Sequence, residues 1–361
     1  MKSPYSGLAP RAYWRTGVAE RHALAVGDIY RKKFSIRPGE QIATAGSCFA
    51  QHIASRLRQN GFQVLDAEPP PWGMNVDTAR LFGYNLYSAR YGNVYTLRQM
   101  LQLVQECRGM RTPAEVIWEK NGRFYDALRP SVEPKGLAAA EWVVRHRQQH
   151  LEHVNLLFQK TTLFIFTLGL TETWEHTGDG TVYPTAPGSI AGSYEPGSYR
   201  FKNLDYAENL NDFLMLRDML REYNGIMRFI LTVSPVPLTA TASGEHVLPA
   251  TTYSKSVLRA VAGYLAQNYE DIDYFPSYEI IAGAPTRGVF YQNNLRTVAI
   301  AGVDVVMQSF FEQHGSADGA MGAPVAPQGE REASSKFQPD SASIAAQKIY
   351  CEEELLEAFA N

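Results

Sequence analysis

The sequence contains few cysteines, and they lie far apart. Its 361 residues include three, at positions 48, 107 and 351. Cysteines that ligate zinc or build a disulfide framework occur in close spacings or in larger numbers. The spacing therefore excludes a cysteine-rich zinc site and a disulfide scaffold, and each thiol has to be interpreted separately.

An excess of positive charge is also absent. The chain has 34 Lys and Arg residues against 37 Asp and Glu, a formal net charge of −3. Proteins that bind nucleic acid usually carry a basic excess or a basic stripe. We therefore expect no nucleic-acid partner, and the charge pattern does not indicate an oligomeric state.

Long hydrophobic runs are missing as well. No stretch of about 18 apolar residues occurs, so no membrane insertion is expected. The first 17 residues, MKSPYSGLAPRAYWRTG, lack the apolar core of a signal peptide, which predicts a cytoplasmic location. Hydrophobic residues nevertheless make up 45% of the chain and charged residues 20%, a balance that excludes a mainly disordered protein.

Apolar runs that alternate with helical patterns indicate the fold class. Residues 162–168, 227–233 and 272–275 read as strands of a buried parallel sheet, and a helical pattern precedes each of them. Near the start, a strand at 41–46, a helix and a strand at 62–65 follow one another. We predict a three-layer α/β/α sandwich with a doubly wound parallel sheet. A hairpin at 117–128 and the segment 183–198 are predicted as insertions above the sheet.

Composition also predicts the domain organisation. Residues 1–40 read as a lead-in, and 41–313 as the main domain. Residues 314–336 are rich in Gly, Ala, Pro and Ser and read as a flexible linker. Residues 337–361 regain helical character, and this tail either docks back on the domain or serves a partner.

The turn after the first predicted strand carries the first chemical signal. It reads GSCFA at residues 46–50 and leads into an amphipathic helix. At a helix N-terminus the peptide dipoles stabilise a thiolate and lower its pKa. The other interpretation is that Cys48 is a small apolar residue that fills a tight turn. The turn lacks the glycine pattern and the lysine of nucleotide-binding loops, which argues against a nucleotide-binding enzyme.

This pentapeptide resembles the signature of the GSCFA family, a branch of the SGNH/GDSL-type esterases. TLG at 167–169 with Glu172 and Trp174, TVSPV at 232–236 and YFPSYE at 274–279 resemble the same family. The resemblance covers roughly residues 41–311. It implies an SGNH-like fold and ester hydrolysis or O-acyl transfer, often on a carbohydrate or glycan-linked ester. No cofactor is required, and acyl-CoA is a reasonable co-substrate for a transferase.

The resemblance assigns roles to individual positions. Cys48 takes the place of the nucleophile, and Ser47 is the fallback. Gly92 and Asn93 are the candidates for the block that binds the oxyanion, together with the backbone donor at Cys48. In the next sequence block of SGNH enzymes, an Asn side chain donates to the oxyanion. Here Thr171 stands at that position, beside Glu172.

The last of these sequence blocks does not match the pattern of SGNH enzymes. An Asp-x-x-His sequence is expected there, but Asn294 and Thr297 stand at the acid and base positions. Another base is needed, and His246 is favoured because it follows an apolar strand, with Glu279 or Glu245 to orient it. His246 is equally well read as an ordinary exposed loop residue.

Two arginines and a histidine-rich segment also have to be interpreted. Arg90 and Arg296 are possible clamps for a phosphate or carboxylate. Three histidines lie in the segment RHRQQHLEH at 145–153. We read this segment as a solvated helix face rather than as a metal site.

Two hypotheses follow. The first is an acyl-transfer enzyme, either an esterase or an O-acyltransferase, that uses a nucleophile in the turn at 46–48. The second is an SGNH-like module that has lost its base and binds a glycan or a protein partner. We favour the enzyme, because a reactive residue at a helix N-terminus is hard to explain by packing alone.

Overall fold

Strands and helices alternate over most of the chain. The computed structural model describes residues 3–22, 27–315 and 351–360. Short 3-10 or π-helical turns lie near the chain ends and after the last strand. The elements, in chain order, are β1 (Ile42–Gly46), α1 (Phe49–Gln59), α2 (Val76–Leu81), α3 (Leu97–Cys107), β2 (Ile117–Lys120), β3 (Arg123–Asp126), α4 (Ala140–Lys160), β4 (Leu163–Leu168), β5 (Glu172–His176), β6 (Val182–Tyr183), β7 (Tyr199–Asn203), α5 (Tyr206–Tyr223), β8 (Arg228–Val233), α6 (Val247–Asn268), β9 (Ile272–Tyr274), α7 (Ser277–Ala282) and α8 (Ile300–His314).

The central sheet is parallel and has the order β1-β4-β8-β9. Ile42 lies opposite Leu163 in the β1–β4 pair. The strand predicted at 62–65 contributes only one parallel bridge, between Ile42 and Val64, on the outer edge of β1. After β1 the chain therefore passes to Val64 on the outer edge of the sheet, whereas after β4 it passes to β8 on the opposite side. The crevice between the carboxyl ends of β1 and β4 is a topological switch point, where ligands bind in sheets of this kind.

Side chains of the central strands alternate between two apolar cores. Phe164 and Phe166 of β4 pack with α3, α4, α5 and α6 on one face. Leu163 and Ile165 pack with α1, α7 and α8 on the other. Because a strand places successive side chains on opposite faces, a sheet covered twice needs apolar residues at nearly every position. The predicted three-layer α/β/α fold is confirmed.

Two helices begin at positions other than those predicted from the sequence. Helix α6 begins at Val247 rather than at 252, because Pro249 lies in its first turn, where the missing N–H is harmless. Helix α4 begins at Ala140 rather than at 137, because Leu137 pairs with Phe124 of the hairpin.

Two small antiparallel sheets lie outside the central one. Strands β2 and β3 form the predicted hairpin, with both turn residues, Asn121 and Gly122, in the left-handed region. Strands β6, β5 and β7 form a second sheet in that order. Trp118 of the hairpin stacks on Tyr183 with ring centroids 5.2 Å apart. This contact joins the two sheets into one insertion.

The chain ends are described in part. In the lead-in, Tyr30 and Ile36 are buried in the core that contains α7 and α8. Helix α8 ends at His314, and the predicted linker lies outside the described residues from 316 onward. Of the predicted tail, residues 351–360 are described. Glu352–Phe359 form a 3-10 helix that packs against the domain.

One histidine of helix α4 is buried, contrary to the prediction of a solvated face. His150 is 1% exposed, and its Nδ1 lies 2.7 Å from Glu68 Oε2. Burial lowers the pKa of His150 to about 4, and the nearby Arg129 guanidinium acts in the same direction. The imidazole is therefore neutral in the folded protein and donates from Nδ1 to the carboxylate.

We expect this histidine to make the fold acid-sensitive. In the unfolded chain it binds a proton near pH 6.5, whereas the folded protein resists protonation down to about pH 4. Its stabilising contribution is full above pH 6.5 and is lost as the pH falls through that window, by about 1 to 2 kcal/mol at pH 5. Urea denaturation at pH 7.5 and pH 5 measures this. The His150→Gln variant keeps a donor for Glu68 and should lose less stability. An equal loss in both proteins would contradict the assignment.

Candidate active site

A glycine ends strand β1 and sets up the turn. Gly46 has φ +141, and a Cβ there would lie 2.4 Å from the carbonyl oxygen of Thr167 on β4. Only glycine allows this approach. The chain then turns directly into α1, with Cys48 at its N-cap position. Helix N-termini leave backbone N–H groups without intrahelical acceptors, so the thiol begins a helix whose dipole favours negative charge.

The loop after β4 packs against this turn. A Cβ on Gly169 would lie 3.0 Å from Cβ of Ser47, so the Gly169 backbone lies against the Ser47 side chain. The Gly169 carbonyl oxygen accepts a hydrogen bond of 2.6 Å from Nζ of Lys255 on α6. Lys255 is 1% exposed, and burial lowers its pKa to about 8. It interacts electrostatically with Cys48.

The loop before α3 forms the third side. Gly92 is in the left-handed region with φ +69. Val94 donates its N–H to the Gly46 carbonyl oxygen at 2.9 Å. The buried Asn93 accepts from Gln51 Nε2 at 3.3 Å. Its amide group is thereby oriented at the crevice between β1 and β4.

The C-terminal segment lies across this crevice. Cys351 packs against the apolar core that contains Cys48, and Arg296 Nη2 lies 3.4 Å from Cys351 Sγ. The Cys48 thiol and the Arg296 guanidinium lower the pKa of Cys351 to about 6. The Cys351 thiol and burial raise the pKa of Cys48. Of the two thiols, Cys351 is therefore the one whose surroundings favour the thiolate.

Two buried glutamates follow Cys351 and fill the crevice. The Glu352 carboxylate accepts hydrogen bonds from Asn93 Nδ2, from the Tyr95 hydroxyl at 2.8 Å and from the Ser131 hydroxyl. Glu353 lies 3.2 Å from Arg296 Nη2. Burial raises the pKa of Glu353 to about 8, and the neighbouring Cys351 adds to this shift. A substrate that needs the same donors must displace Glu352.

Five of the predicted site residues meet in this cluster. The Ser47 hydroxyl is buried and, within the described residues, has no hydrogen-bond partner. Cys48 is 3% exposed. The residues brought together are Ser47, Cys48, Gly92, Asn93 and Arg296.

The predicted clamp Arg90 and the predicted base His246 make other contacts. Arg90 donates to the carbonyl oxygen of Val132 at 3.0 Å, so it ties loops together. His246 is exposed, and its Nδ1 accepts the Leu248 N–H at 3.1 Å as the cap of α6. The loop expected to carry His246 over the nucleophile is present, but His246 lies at its end and caps helix α6.

The remaining predicted residues are likewise engaged. The Thr171 hydroxyl donates to Asn203 Oδ1 at 2.7 Å. Glu172 accepts from the Thr241 hydroxyl at 2.7 Å. Glu279 pairs with Arg259 and accepts from the Tyr274 hydroxyl at 2.7 Å. Glu172 lines the cavity that adjoins the cluster, whereas Glu279 lines a separate cavity.

Sequence reasoning missed several residues of the cluster. A signal existed for Lys255, a lysine aligned with the buried Leu258 and Ala262 on one face of α6. Another existed for the run CEEE at 351–354, a cysteine and three acidic residues within the predicted helical tail. The residues missed are Tyr95, Ser131, Lys255, Cys351, Glu352 and Glu353.

A cavity of about 170 Å³ adjoins the cluster. The side chains of Trp174, Tyr183 and Phe201 line it, and Glu353 of the tail forms part of its wall. The hydroxyl of Thr185, another lining residue, is buried without a hydrogen-bond partner in the described part of the chain. The cavity thus offers aromatic and polar groups next to the crevice.

In the described ranges no group of three or more His, Cys, Asp or Glu side chains is placed to hold a metal ion. Among the described helices, none is long and apolar enough to cross a bilayer.

Fold and site define an α/β/α protein that presents a thiol at the switch point of a parallel sheet. The profile of the GSCFA family matches residues 41–310, and the chain belongs to this family, as the motifs predicted. No functionally curated protein matches the sequence.

Solved structures show distant similarity. A GDSL-like lipase from Bacteroides thetaiotaomicron is 11% identical over 49% of this chain and 72% of its own, with a TM-score of 0.27. A carbohydrate esterase family 3 protein from Talaromyces cellulolyticus is 12% identical over 61% of this chain and 89% of its own, also with a TM-score of 0.27.

Proposed function

We propose that the protein is a thiol-dependent acyl-transfer enzyme, an esterase or O-acyltransferase, in which Cys48 is the nucleophile. The observation that carries this proposal is the position of the Cys48 thiol. It lies at a helix N-terminus, beside hydrogen-bond donors that already hold a carboxylate. The Glu352 carboxylate places an oxygen where the negatively charged oxygen of the tetrahedral intermediate would form. Donors fixed at that place stabilise the transition state.

Lys255 is the base in this proposal, because neither Asn294 nor Thr297 can accept the proton. The Cys48 sulfur attacks the acyl carbonyl carbon, and its proton passes to the neutral amine of Lys255. The oxyanion accepts hydrogen bonds from Asn93 and Tyr95, together with the backbone at Cys48 and Gly92. The leaving alcohol, or the CoA thiol where acyl-CoA is the donor, takes the proton from Lys255. Water or an acceptor hydroxyl then attacks the acyl carbon and gives its proton to Lys255, and the Cys48 sulfur leaves and takes that proton back.

The substrate in this proposal is a carbohydrate or glycan-linked ester, with acyl-CoA as donor if the enzyme is a transferase. The aromatic cavity beside the crevice supports a sugar, since Trp174, Tyr183 and Phe201 provide ring faces for stacking. Glu172 and Thr241 supply polar groups for hydroxyls in the same wall. The tail segment must leave Asn93 and Tyr95 before an ester can bind.

A binding module is the second candidate. Its support is the pair Asn294 and Thr297, which stand where the acid and base are expected. Their side chains hydrogen-bond to each other at 2.9 Å in an exposed turn and do not enter the crevice. A module of this kind holds a glycan or protein partner without forming a covalent intermediate.

Intact mass after brief exposure to p-nitrophenyl acetate and, separately, to acetyl-CoA tests the proposal. We expect the wild-type protein to gain one acetyl group. The increment should disappear in Cys48→Ala and persist in Ser47→Ala and Cys351→Ser. Loss in Cys351→Ser instead would mean that the ester acylates the Cys351 thiolate directly and would contradict the assignment of Cys48. Loss in Ser47→Ala alone would move the nucleophile by one residue. No increment with either donor would favour the binding module.

A further inference from the structure

Two of the three thiols meet in the crevice, although they lie at opposite ends of the domain sequence. Cys48 is buried in the apolar core beneath α1, and Cys351 packs against that core from the tail. The two thiols are neighbours there, since each shifts the pKa of the other. Cys107 ends helix α3, outside this cluster. The arrangement is a dithiol rather than two isolated cysteines.

The surroundings make one member of the pair reactive. Arg296 Nη2 lies 3.4 Å from Cys351 Sγ, and the Tyr95 hydroxyl lies 3.8 Å from the same atom. Cys351 also stands at the N-cap of the 3-10 helix of the tail. A guanidinium and a helix N-terminus both stabilise a thiolate, which is the form that reacts with oxidants.

The register of the tail is held by buried charges. Glu352 and Glu353 are 6% and 7% exposed. Asn93, Tyr95 and Ser131 donate to Glu352, and Arg296 pairs with Glu353. Buried carboxylates are costly unless their partners are in place. A shift of one residue would break both sets of contacts, so the sulfur of Cys351 is fixed at Cys48.

We propose that Cys48 and Cys351 form a redox-active pair that a peroxide converts into an intramolecular disulfide. The Cys351 thiolate attacks one oxygen of hydrogen peroxide, takes up a hydroxyl as sulfenic acid, and one water is released after protonation. The Cys48 sulfur then attacks the sulfenic sulfur and loses its proton, and a second water leaves. Two thiols lose two electrons and two protons, and the peroxide is reduced to water. The disulfide removes the thiol of Cys48 and fastens the tail over the crevice.

The experiment treats the reduced full-length chain with one equivalent of hydrogen peroxide. It is then denatured, alkylated with N-ethylmaleimide and weighed intact. We expect one alkylated thiol instead of three, and a peptide map without reductant that joins Cys48 to Cys351. Dithiothreitol should restore all three thiols. The Cys107→Ser variant is the matched control and should still form the disulfide, whereas Cys351→Ser should not.

The proposal would be overturned by three alkylated thiols after peroxide, by disulfides that include Cys107, or by a disulfide-linked dimer as the product. Cys351→Ser changes only the tail, so its result does not depend on the folding of the domain. The readout is a thiol count and a mass. It is therefore independent of acyl transfer, and the two proposals can fail separately.

Discussion

Replacing Lys255 by methionine is expected to lower the rate of Cys48 acylation by about 10²- to 10⁴-fold, the usual contribution of a general base. The Lys255 amine lies at the carboxyl end of β4, where its Nζ donates to the Gly169 carbonyl oxygen at 2.6 Å. Burial lowers its pKa to about 8. The base form is thus available at mildly alkaline pH, whereas an exposed lysine remains protonated there.

The pH profile is the sharper part of this prediction. Acylation of the wild type by p-nitrophenyl acetate should rise with pH and level off above about 8, the pKa of Lys255. In Lys255→Met the acylation rate should be much lower and should no longer rise with pH over this range. Methionine nearly fills the lysine volume, and Glu353 keeps Arg296 as partner, so the variant should fold. The exposed Lys120 provides the control, Lys120→Met, which should keep the wild-type profile. A folded Lys255→Met protein with unchanged acylation would remove Lys255 from the mechanism.

Substituting Gly46 by alanine is expected to reduce the free energy of unfolding by about 3 to 5 kcal/mol, through a strained backbone and a forced contact in the core. At φ +141 the new Cβ would lie 2.4 Å from the Thr167 carbonyl oxygen and 2.7 Å from Thr167 Cβ. Both atoms belong to β4, at the centre of the sheet, and cannot move without opening the β1–β4 pair. Domains of this size have only about 5 to 15 kcal/mol of stability.

Urea denaturation followed by circular dichroism measures this loss. Gly109→Ala is the matched control, because Gly109 has φ +67 but nothing within 4 Å of its added Cβ. It should cost only about 1 to 2 kcal/mol, the price of a left-handed alanine alone. If both variants lost the same amount, the contact with Thr167 would not be the cause.

The local features of the site were predictable from the sequence. The apolar runs at β4 and β8 indicated buried parallel strands, and the turn at 46–50 indicated a thiol at the start of a helix. The resemblance to SGNH enzymes made Gly92 and Asn93 candidates for the oxyanion block, and the structure places both beside that turn. These predictions succeed because strand periodicity, glycine turns and helix starts depend on residues close together in the chain.

The proposed base, Lys255, was not predictable in the same way. His246 was favoured because a loop was expected to bring it over Cys48, but Val247 already belongs to α6 and the imidazole caps that helix. Lys255 lies further along the same helix and faces inward. The ordinary expectation for a lysine is exposure, and only the packing of α6 against the sheet reverses it.

The sequence by itself determined the α/β/α layering, the thiol-bearing turn and the membership of the GSCFA family, because each is encoded in short patterns or in their order. Only the tertiary structure decided which charged groups share the crevice. Cys351 meets Cys48, and Glu352 meets Asn93, across most of the length of the chain. Burial and hydrogen-bond partners set the protonation and reactivity of such groups, and both arise from contacts that no local spacing specifies.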